Sequence, residues 1–99
     1  MPKPYYADYV NHMLRYYATY RDSKGIRSDV DERNYRCVDK VINTIPQYEQ
    51  LILMDIYRRR DALPDNVCRV SAQSSIDPRL IWTLISGITN KIARERHLI

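Results

Sequence analysis

The stretch LPDNVCRVSAQSSIDPRLIWTLISGITNKIARER, residues 63–96, decides how this chain folds. Its second half opens with Asp77 and Pro78, an N-cap residue followed by the residue that best fits the first helical position. Apolar residues then recur at steps of three and four, which indicates one face of a long helix. These residues are Ile81, Leu84, Ile85, Ile88 and Ile92. We predict that Asp77 caps this helix through a backbone N–H two or three residues on, and that Ile81, Leu84, Ile85 and Ile88 lie in the core.

The first half of the same stretch has the pattern of a shorter helix. Pro64 suits a first helical turn, where its missing N–H costs nothing. Val67 and Val70 give a short apolar stripe, and the Ser74-Ser75 pair weakens a helix because its hydroxyls compete for backbone groups. A short helix, a sharp turn and a longer helix together predict a helix-turn-helix at residues 64–96.

The N-terminal third is rich in tyrosine. Residues 5–20 predict a helix with two neighbouring stripes. The first stripe is Tyr6, Val10, Met13, Tyr17 and Tyr20, and we expect it in the core. The second is Tyr5, Tyr9, His12 and Tyr16, which is either a rim that covers the core or a surface for protein contact or stacking. Residues 1–4 and 21–27 predict an irregular lead-in and a polar loop.

Two further helices are predicted between residues 28 and 60. Ser28 caps the first, with Asp31 near the capping-box position, and Pro46 ends it by Ile45. Its apolar face is Tyr35, Val38, Val41, Ile42 and Ile45. Thr44 or Ile45 is expected to cap the next helix, which carries Leu51-Ile52-Leu53-Met54 and is expected to be the most buried. The run Arg58-Arg59-Arg60 that follows either caps this helix and pairs with Asp55 and Asp61, or contacts phosphates.

Composition limits the classes of function. The chain has 99 residues and a net charge of +4, divided equally between its halves, which permits nucleic-acid binding without demanding it. Cys37 and Cys68 match no metal-ligand spacing, so we expect reduced thiols. His12 and His97 stand apart, and no catalytic constellation or glycine-rich phosphate loop is present. We therefore predict no enzyme, no cofactor, no metal and no small-molecule substrate. Without a membrane-spanning run, we expect a cytoplasmic protein.

The predicted architecture is all-α, with about five helices in a single domain spanning residues 1–99. Residues 1–27 form the Tyr-rich helix and its link. Residues 28–99 form a helical core that ends in the helix-turn-helix.

From Asp39 to Arg96 the chain resembles region four of the bacterial sigma factors, and more closely the short phage and mobile-element proteins distantly related to it. The residues that carry this resemblance are VDKVINTIPQYEQLILMDIYRRRD and VCRVSAQSSIDPRLIWTLISGITNKIARE. The family's pattern has an "LP"-type link before a Glu, matched by Ile45-Pro46 and Glu49. Two positions depart from it: Ser74 replaces a buried leucine and Ser75 replaces the turn glycine.

The resemblance implies a small DNA-binding transcriptional regulator. The family's base-reading positions fall on Pro78, Arg79, Trp82 and Thr83, with Ser86 one turn later, although only Arg79 is a usual base reader. The implied phosphate contacts are Arg58, Arg59, Arg60, Lys91 and Arg94. One copy offers few contacts to double-stranded DNA, so a homodimer or RNA polymerase is implied as a partner. The alternative is a protein-interaction module of the same fold, which binds RNA polymerase or another regulator through Trp82 and the tyrosines.

Overall fold

The computed structural model of the chain describes residues 5–20 and 28–99, and for Tyr20 the backbone alone. These residues form five α-helices and no strand, which confirms the all-α prediction. The helices are α1 (Ala7–Tyr20), α2 (Asp29–Ile42), α3 (Gln47–Arg58), α4 (Leu63–Ser74) and α5 (Pro78–Glu95). The predictions for residues 1–4, for residues 21–27 and for the Tyr20 side chain lie outside the described residues.

A three-residue link, residues 75–77, separates α4 from α5. Ser75 adopts the left-handed conformation, with φ 56° and ψ 36°, and its N–H donates to the Ser71 carbonyl. The Ser71 hydroxyl donates in turn to the Ile76 carbonyl, so side chain and backbone close the turn together. The left-handed conformation is uncommon for residues other than glycine, and Ser75 adopts it at a modest steric cost.

Asp77 starts α5 as predicted. Its Oδ1 atom accepts from the Arg79 N–H at 2.9 Å, two residues on, and Pro78 occupies the first helical turn. The carboxylate also faces the positive end of the helix dipole, which favours its charge.

The core lies between the inner stripes of all five helices, and α5 contributes four buried isoleucines to it. Ile81, Ile85 and Ile88 are buried as predicted. Leu84 is only partly buried, so its assignment to the core was wrong. Its position on the helix turns it toward α3, and α3 stops short of covering it.

The first stripe of α1 is confirmed as core for Val10, Met13 and Tyr17, whereas Tyr6 is partly buried. Leu14 and Ala18 join them, since α1 packs on three helices, α2, α3 and α5. In the second stripe, Tyr5, Tyr9 and His12 are exposed and Tyr16 is half-buried, which fits both the rim and the contact surface that the sequence predicts as alternatives.

Ser28 caps α2 as predicted, its Oγ accepting from the Asp31 N–H at 3.1 Å. The predicted cap of α3 was wrong, because Pro46 itself is the N-cap and makes no side-chain cap bond. Thr44 is used elsewhere, since its hydroxyl donates to the Val41 carbonyl at 2.6 Å and closes the end of α2.

The expectation that α3 is the most buried helix was also wrong. Leu53, Met54, Ile56 and Tyr57 are buried, but Tyr48 is 66% and Leu51 62% exposed. Apolar residues cover several sides of α3, yet it packs mainly against α1 and α4, so one apolar side is left open.

No helix in the described ranges combines the length and the apolar character that crossing a membrane requires.

Candidate nucleic-acid interface

The outward face of α5 is polar and carries no carboxylate. Arg79, Thr83, Ser86, Gly87 and Arg94 follow one another at helical spacing and are all exposed. The two acidic residues at the ends of the helix are occupied, since Asp77 caps it and Glu95 pairs with Lys40 at 2.6 Å. A face of small polar residues with a cation near each end is compatible with the negative potential of a nucleic-acid groove.

Arg79 lies at the start of this face. Its guanidinium contacts the Asp77 carboxylate at 3.0 Å, and the side chain is 90% exposed. The hydrogen bond from the Arg79 side chain, helped by its backbone N–H, lowers the pKa of Asp77. Because a solvent-exposed pair of this kind contributes little stability, Arg79 can leave Asp77 for another acceptor at small cost.

Trp82 lies on one flank of α5 rather than on its outermost face. Its ring is 38% exposed and borders a groove of about 370 Å³ shared with Ser86, the start of α1 and the start of α4. Tyr6, Asn11 and Leu63 line the far side of this groove. Trp82 is therefore placed for stacking or for packing against a ligand that approaches from this flank.

Arg58, Arg59 and Arg60 line a cleft of about 190 Å³ between the end of α3 and the second half of α1. His12, Arg15, Tyr16 and Thr19 form the α1 side of this cleft. All three consecutive arginines are exposed. Among the described residues, no carboxylate lies within salt-bridge distance of their guanidinium groups.

Side chains from α1 and α4 donate to carbonyls at the end of α3 and just beyond it. Arg15 donates to the Arg59 carbonyl at 2.9 Å and to the Asp61 carbonyl at 3.0 Å. The buried Asn66 amide donates to the Ile56 carbonyl at 3.0 Å and approaches the same two carbonyls that Arg15 contacts. Among the described contacts, the donors to these carbonyls are Arg15 and Asn66, and none is a side chain of the arginine run.

The ion pairs predicted between the arginine run and the carboxylates of Asp55 and Asp61 are not found among the described residues. The Asp55 carboxylate pairs with Arg69, at 3.4 Å, and Arg69 donates to the Asp55 carbonyl as well. For Asp61, the carbonyl accepts from Arg15, and no carboxylate pair is found in the described part of the chain. The run thus has no structural role that the described contacts account for.

Lys91 and Arg94 lie on the other flank of α5. With Glu95 they line a groove of about 480 Å³ against Lys40, Val41 and Thr44 of α2. The cations predicted for phosphate contact therefore form two separate groups rather than one patch.

Asn11 connects the arginine cleft to the Trp82 flank. It lines the groove beside Trp82, and its Oδ1 accepts from the Tyr57 hydroxyl at 2.7 Å, at the wall of the arginine cleft. Burial raises the pKa of Tyr57, which keeps this hydroxyl a donor. Asn11 thus links the two sites through one hydrogen bond, whereas Lys91 and Arg94 border a different groove, which α5 forms with α2.

The thiols show no sign of chemistry. Cys37 is buried and its Sγ lies 3.7 Å from the Ile92 carbonyl; desolvation raises its pKa. Cys68 is exposed on α4. Within residues 5–20 and 28–99 no cluster of His, Cys, Asp and Glu has the composition of a metal site.

Sequence reasoning missed the contributions of α1 and α4 to this surface. Arg15, which fixes the end of α3, has no signal in the sequence, because its partners are backbone carbonyls 44 and 46 residues away. Asn66 had a weak signal, since an amide within an apolar stripe requires buried partners.

Comparison of the chain with protein-family models, curated proteins and solved structures found no match. The resemblance to sigma region four therefore stays a prediction from the sequence.

Proposed function

We propose that this chain binds double-stranded DNA, with the outward face of α5 in the major groove. The observation that carries the proposal is the Arg58–Arg60 run, three exposed cations whose structural duties are performed by Arg15, Asn66 and Arg69. Cations that the fold does not use are suited to an external polyanion, and phosphate contacts dominate the affinity of proteins for DNA.

The two cation groups agree with the geometry of a groove. A phosphate backbone borders the major groove on each side, so a helix inserted there needs cations on both flanks. Arg58, Arg59 and Arg60 serve the flank of Trp82, and Lys91 and Arg94 the flank of α2. Arg79, Thr83 and Ser86 then face the base edges, as the sequence predicts, with Arg79 released from Asp77 to donate to a guanine.

The test is the salt dependence of duplex affinity. Replacing Arg59 and Arg60 by Gln is expected to reduce the slope of log affinity against log salt by about 0.9 for each lost phosphate contact. The affinity falls about equally for all sequences, since phosphates carry no base information. The control is Arg33→Gln with Arg36→Gln on α2, which removes the same charge from exposed side chains that line neither cation group. Equal slopes for the wild type and the Arg59/Arg60 variant would contradict the phosphate role.

The chain's one tryptophan supplies an independent signal. Duplex binding is expected to quench or shift the emission of Trp82, because it lies on the flank that the DNA approaches. Arg79→Gln is expected to relax preference at one base position, by about 1–3 kcal/mol. A wild type that binds no duplex at low salt would refute DNA binding by the isolated chain.

The second candidate function is protein binding, and the aromatic surface near Trp82 favours it. Tyr5 is 81% exposed and stacks edge-on against Tyr6 at 5.6 Å, beside the Trp82 groove. Aromatic residues of this kind are frequent anchors in protein interfaces. The partner would be RNA polymerase or another regulator. Loss of polymerase binding in Trp82→Ala, with duplex affinity unchanged, would support this function over the first.

A further inference from the structure

An apolar groove opens between α3 and the first turns of α5, on the side of α5 away from Trp82. Its lining includes Tyr48, Glu49, Ile52, Ile76, Leu80 and Leu84, and its volume is about 430 Å³. We refer to it as the α3–α5 groove. Tyr48 and Leu80, from opposite walls, are 66% and 64% exposed. Leu51, one turn after Tyr48 on α3 and outside the groove lining, is 62% exposed. Single exposed apolar residues are ordinary, but a contiguous group of this size marks an interaction site.

The groove is open because its two walls are held by other helices. α3 packs against α1 and α4, and α5 packs against α1, α2 and α4, with little contact between α3 and α5 themselves. The fold therefore presents two apolar helix edges side by side without joining them. An apolar helical ridge from another molecule is the shape that fits between such edges.

Two charged residues, Glu49 and Arg79, lie at the groove and favour an occupant that carries both an acidic and a basic residue. Glu49 lies on the α3 wall, and in the described part of the chain its carboxylate has neither an ion pair nor a hydrogen bond. Arg79 precedes Leu80 at the edge of the α5 wall, just outside the groove lining. Its side chain is 90% exposed, and its pair with Asp77 at 3.0 Å is of the weak, solvent-exposed kind that another carboxylate can replace. One patch thus carries an acid and exposed aromatic and aliphatic side chains on one wall, and a base beside an exposed leucine on the other.

We propose that the α3–α5 groove binds a second copy of this chain about a two-fold axis. In a two-fold dimer the same patch is used by both subunits, so the α3 wall of each copy meets the α5 wall of the other. Leu80 then packs against Tyr48 and Leu51 of the partner copy, and Arg79 meets Glu49. A foreign helix would have to supply both the leucine and the cation, whereas this chain already carries both.

Such a dimer covers the first turns of α5. Thr83 lines the groove, and Arg79 is needed at its edge, so a copy seated there occupies residues that the duplex would contact. Dimer and duplex are therefore competing states. The dimer does not depend on DNA binding, whereas the competition rests on the proposed function.

The test is sedimentation equilibrium of the full chain over a wide range of protein concentration. The double variant Tyr48→Ser, Leu51→Gln alters only the α3 wall and is expected to weaken self-association about tenfold or more. Its matched control is Val30→Gln with Ile99→Gln, which replaces exposed apolar residues outside the groove and should associate like the wild type. If circular dichroism shows helix loss in the first variant, Leu80→Gln on the other wall replaces it. A wild type that stays monomeric, or a groove variant that associates like the wild type, overturns the dimer.

A charge exchange tests the pairing itself. Glu49→Arg alone is expected to weaken the dimer a few-fold, and Glu49→Arg combined with Arg79→Glu is expected to restore it, because both inter-copy pairs are then reversed. If the double exchange does not restore self-association, this arrangement of the two copies is overturned.

To test the competition, duplex affinity is measured at a protein concentration where the wild type is dimeric. The Tyr48/Leu51 variant is expected to bind the duplex more tightly, and equal affinity would overturn the competition alone.

Discussion

The end of α3 and the C-terminal half of α5 both present exposed cations, but the two groups differ in whether a carboxylate lies beside them. At the end of α3, the neutral Asn66 and the distant Arg15 satisfy the carbonyls, and Arg58–Arg60 are left without partners among the described residues. At the end of α5, Glu95 lies beside Lys91 and Arg94 and is held by Lys40. The first group is therefore a source of free positive charge, whereas the second is partly compensated. An exposed cation can contact a ligand more readily when no carboxylate of the protein already lies beside it.

The first prediction asks which residues at the end of α3 contribute to the stability of the fold. Asn66 is 1% exposed and its amide is the buried partner of the α3 carbonyls. Asn66→Ala is expected to lower the free energy of unfolding by about 1–3 kcal/mol, because it leaves the buried Ile56 carbonyl without its side-chain donor, whereas Arg15 still serves the other two carbonyls. Urea denaturation followed by circular dichroism measures this loss.

The Arg59→Gln, Arg60→Gln variant is the matched comparison for Asn66. Its free energy of unfolding is expected to stay within about 0.5 kcal/mol of the wild type, as for other exposed substitutions. If this variant loses as much stability as Asn66→Ala, the arginines stabilise the end of α3. Their exposure would then no longer support a role in phosphate binding.

Local sequence signals predicted the helices well where one residue type sets the local geometry. Asp77 and Ser28 were predicted as caps and are caps, because an N-cap bond involves only neighbours along the chain. Burial was harder to predict, since it depends on which helix covers which. Leu84 and Leu51 read as core residues in the sequence, but both border the side of α3 that no helix covers.

The candidate interface was predictable only in part for the same reason. The sequence places the arginine run after a helix and the polar face on α5, but it does not show that the cations divide between two separate grooves. That division follows from the packing of α1 against α3 and of α2 against α5, which brings together residues far apart in the chain. His12, Arg15 and Tyr16 enter the arginine cleft only through this packing.

A second prediction concerns Gly87, which lies on the outward face between the cations of α5. A methyl group added there meets nothing within 4 Å, and its φ is not positive, so the fold does not require glycine. Gly87→Ala is expected to raise the free energy of unfolding by about 0.5–1 kcal/mol, because alanine loses less backbone entropy in a helix. If the duplex contacts this face closely, the same variant binds DNA more weakly although it is more stable.

Val30→Ala on α2 is the control for Gly87, because it raises helix propensity at an exposed site outside the outward face of α5. Thermal unfolding and duplex affinity are measured for both variants. A Gly87→Ala variant that is stabilised and binds DNA like the wild type would indicate that the outward face does not enter the groove.

The smallest expected effect tests the compensated end of α5. The hydrogen bond to Glu95, with the charge of that carboxylate, raises the pKa of Lys40 from its ordinary value of 10.5. A raised pKa in the folded state means that the pair stabilises the protein fully below the unfolded pKa, and that this contribution is lost as the pH rises through the folded pKa. The free energy of unfolding of the wild type should therefore fall more between neutral and strongly alkaline pH than that of Lys40→Gln. Tyrosine ionisation affects both proteins alike and cancels in the difference. Parallel curves for the two proteins would show that Lys40 does not restrain Glu95, and Glu95 would then be free to compensate Lys91 and Arg94 more fully than the structure indicates.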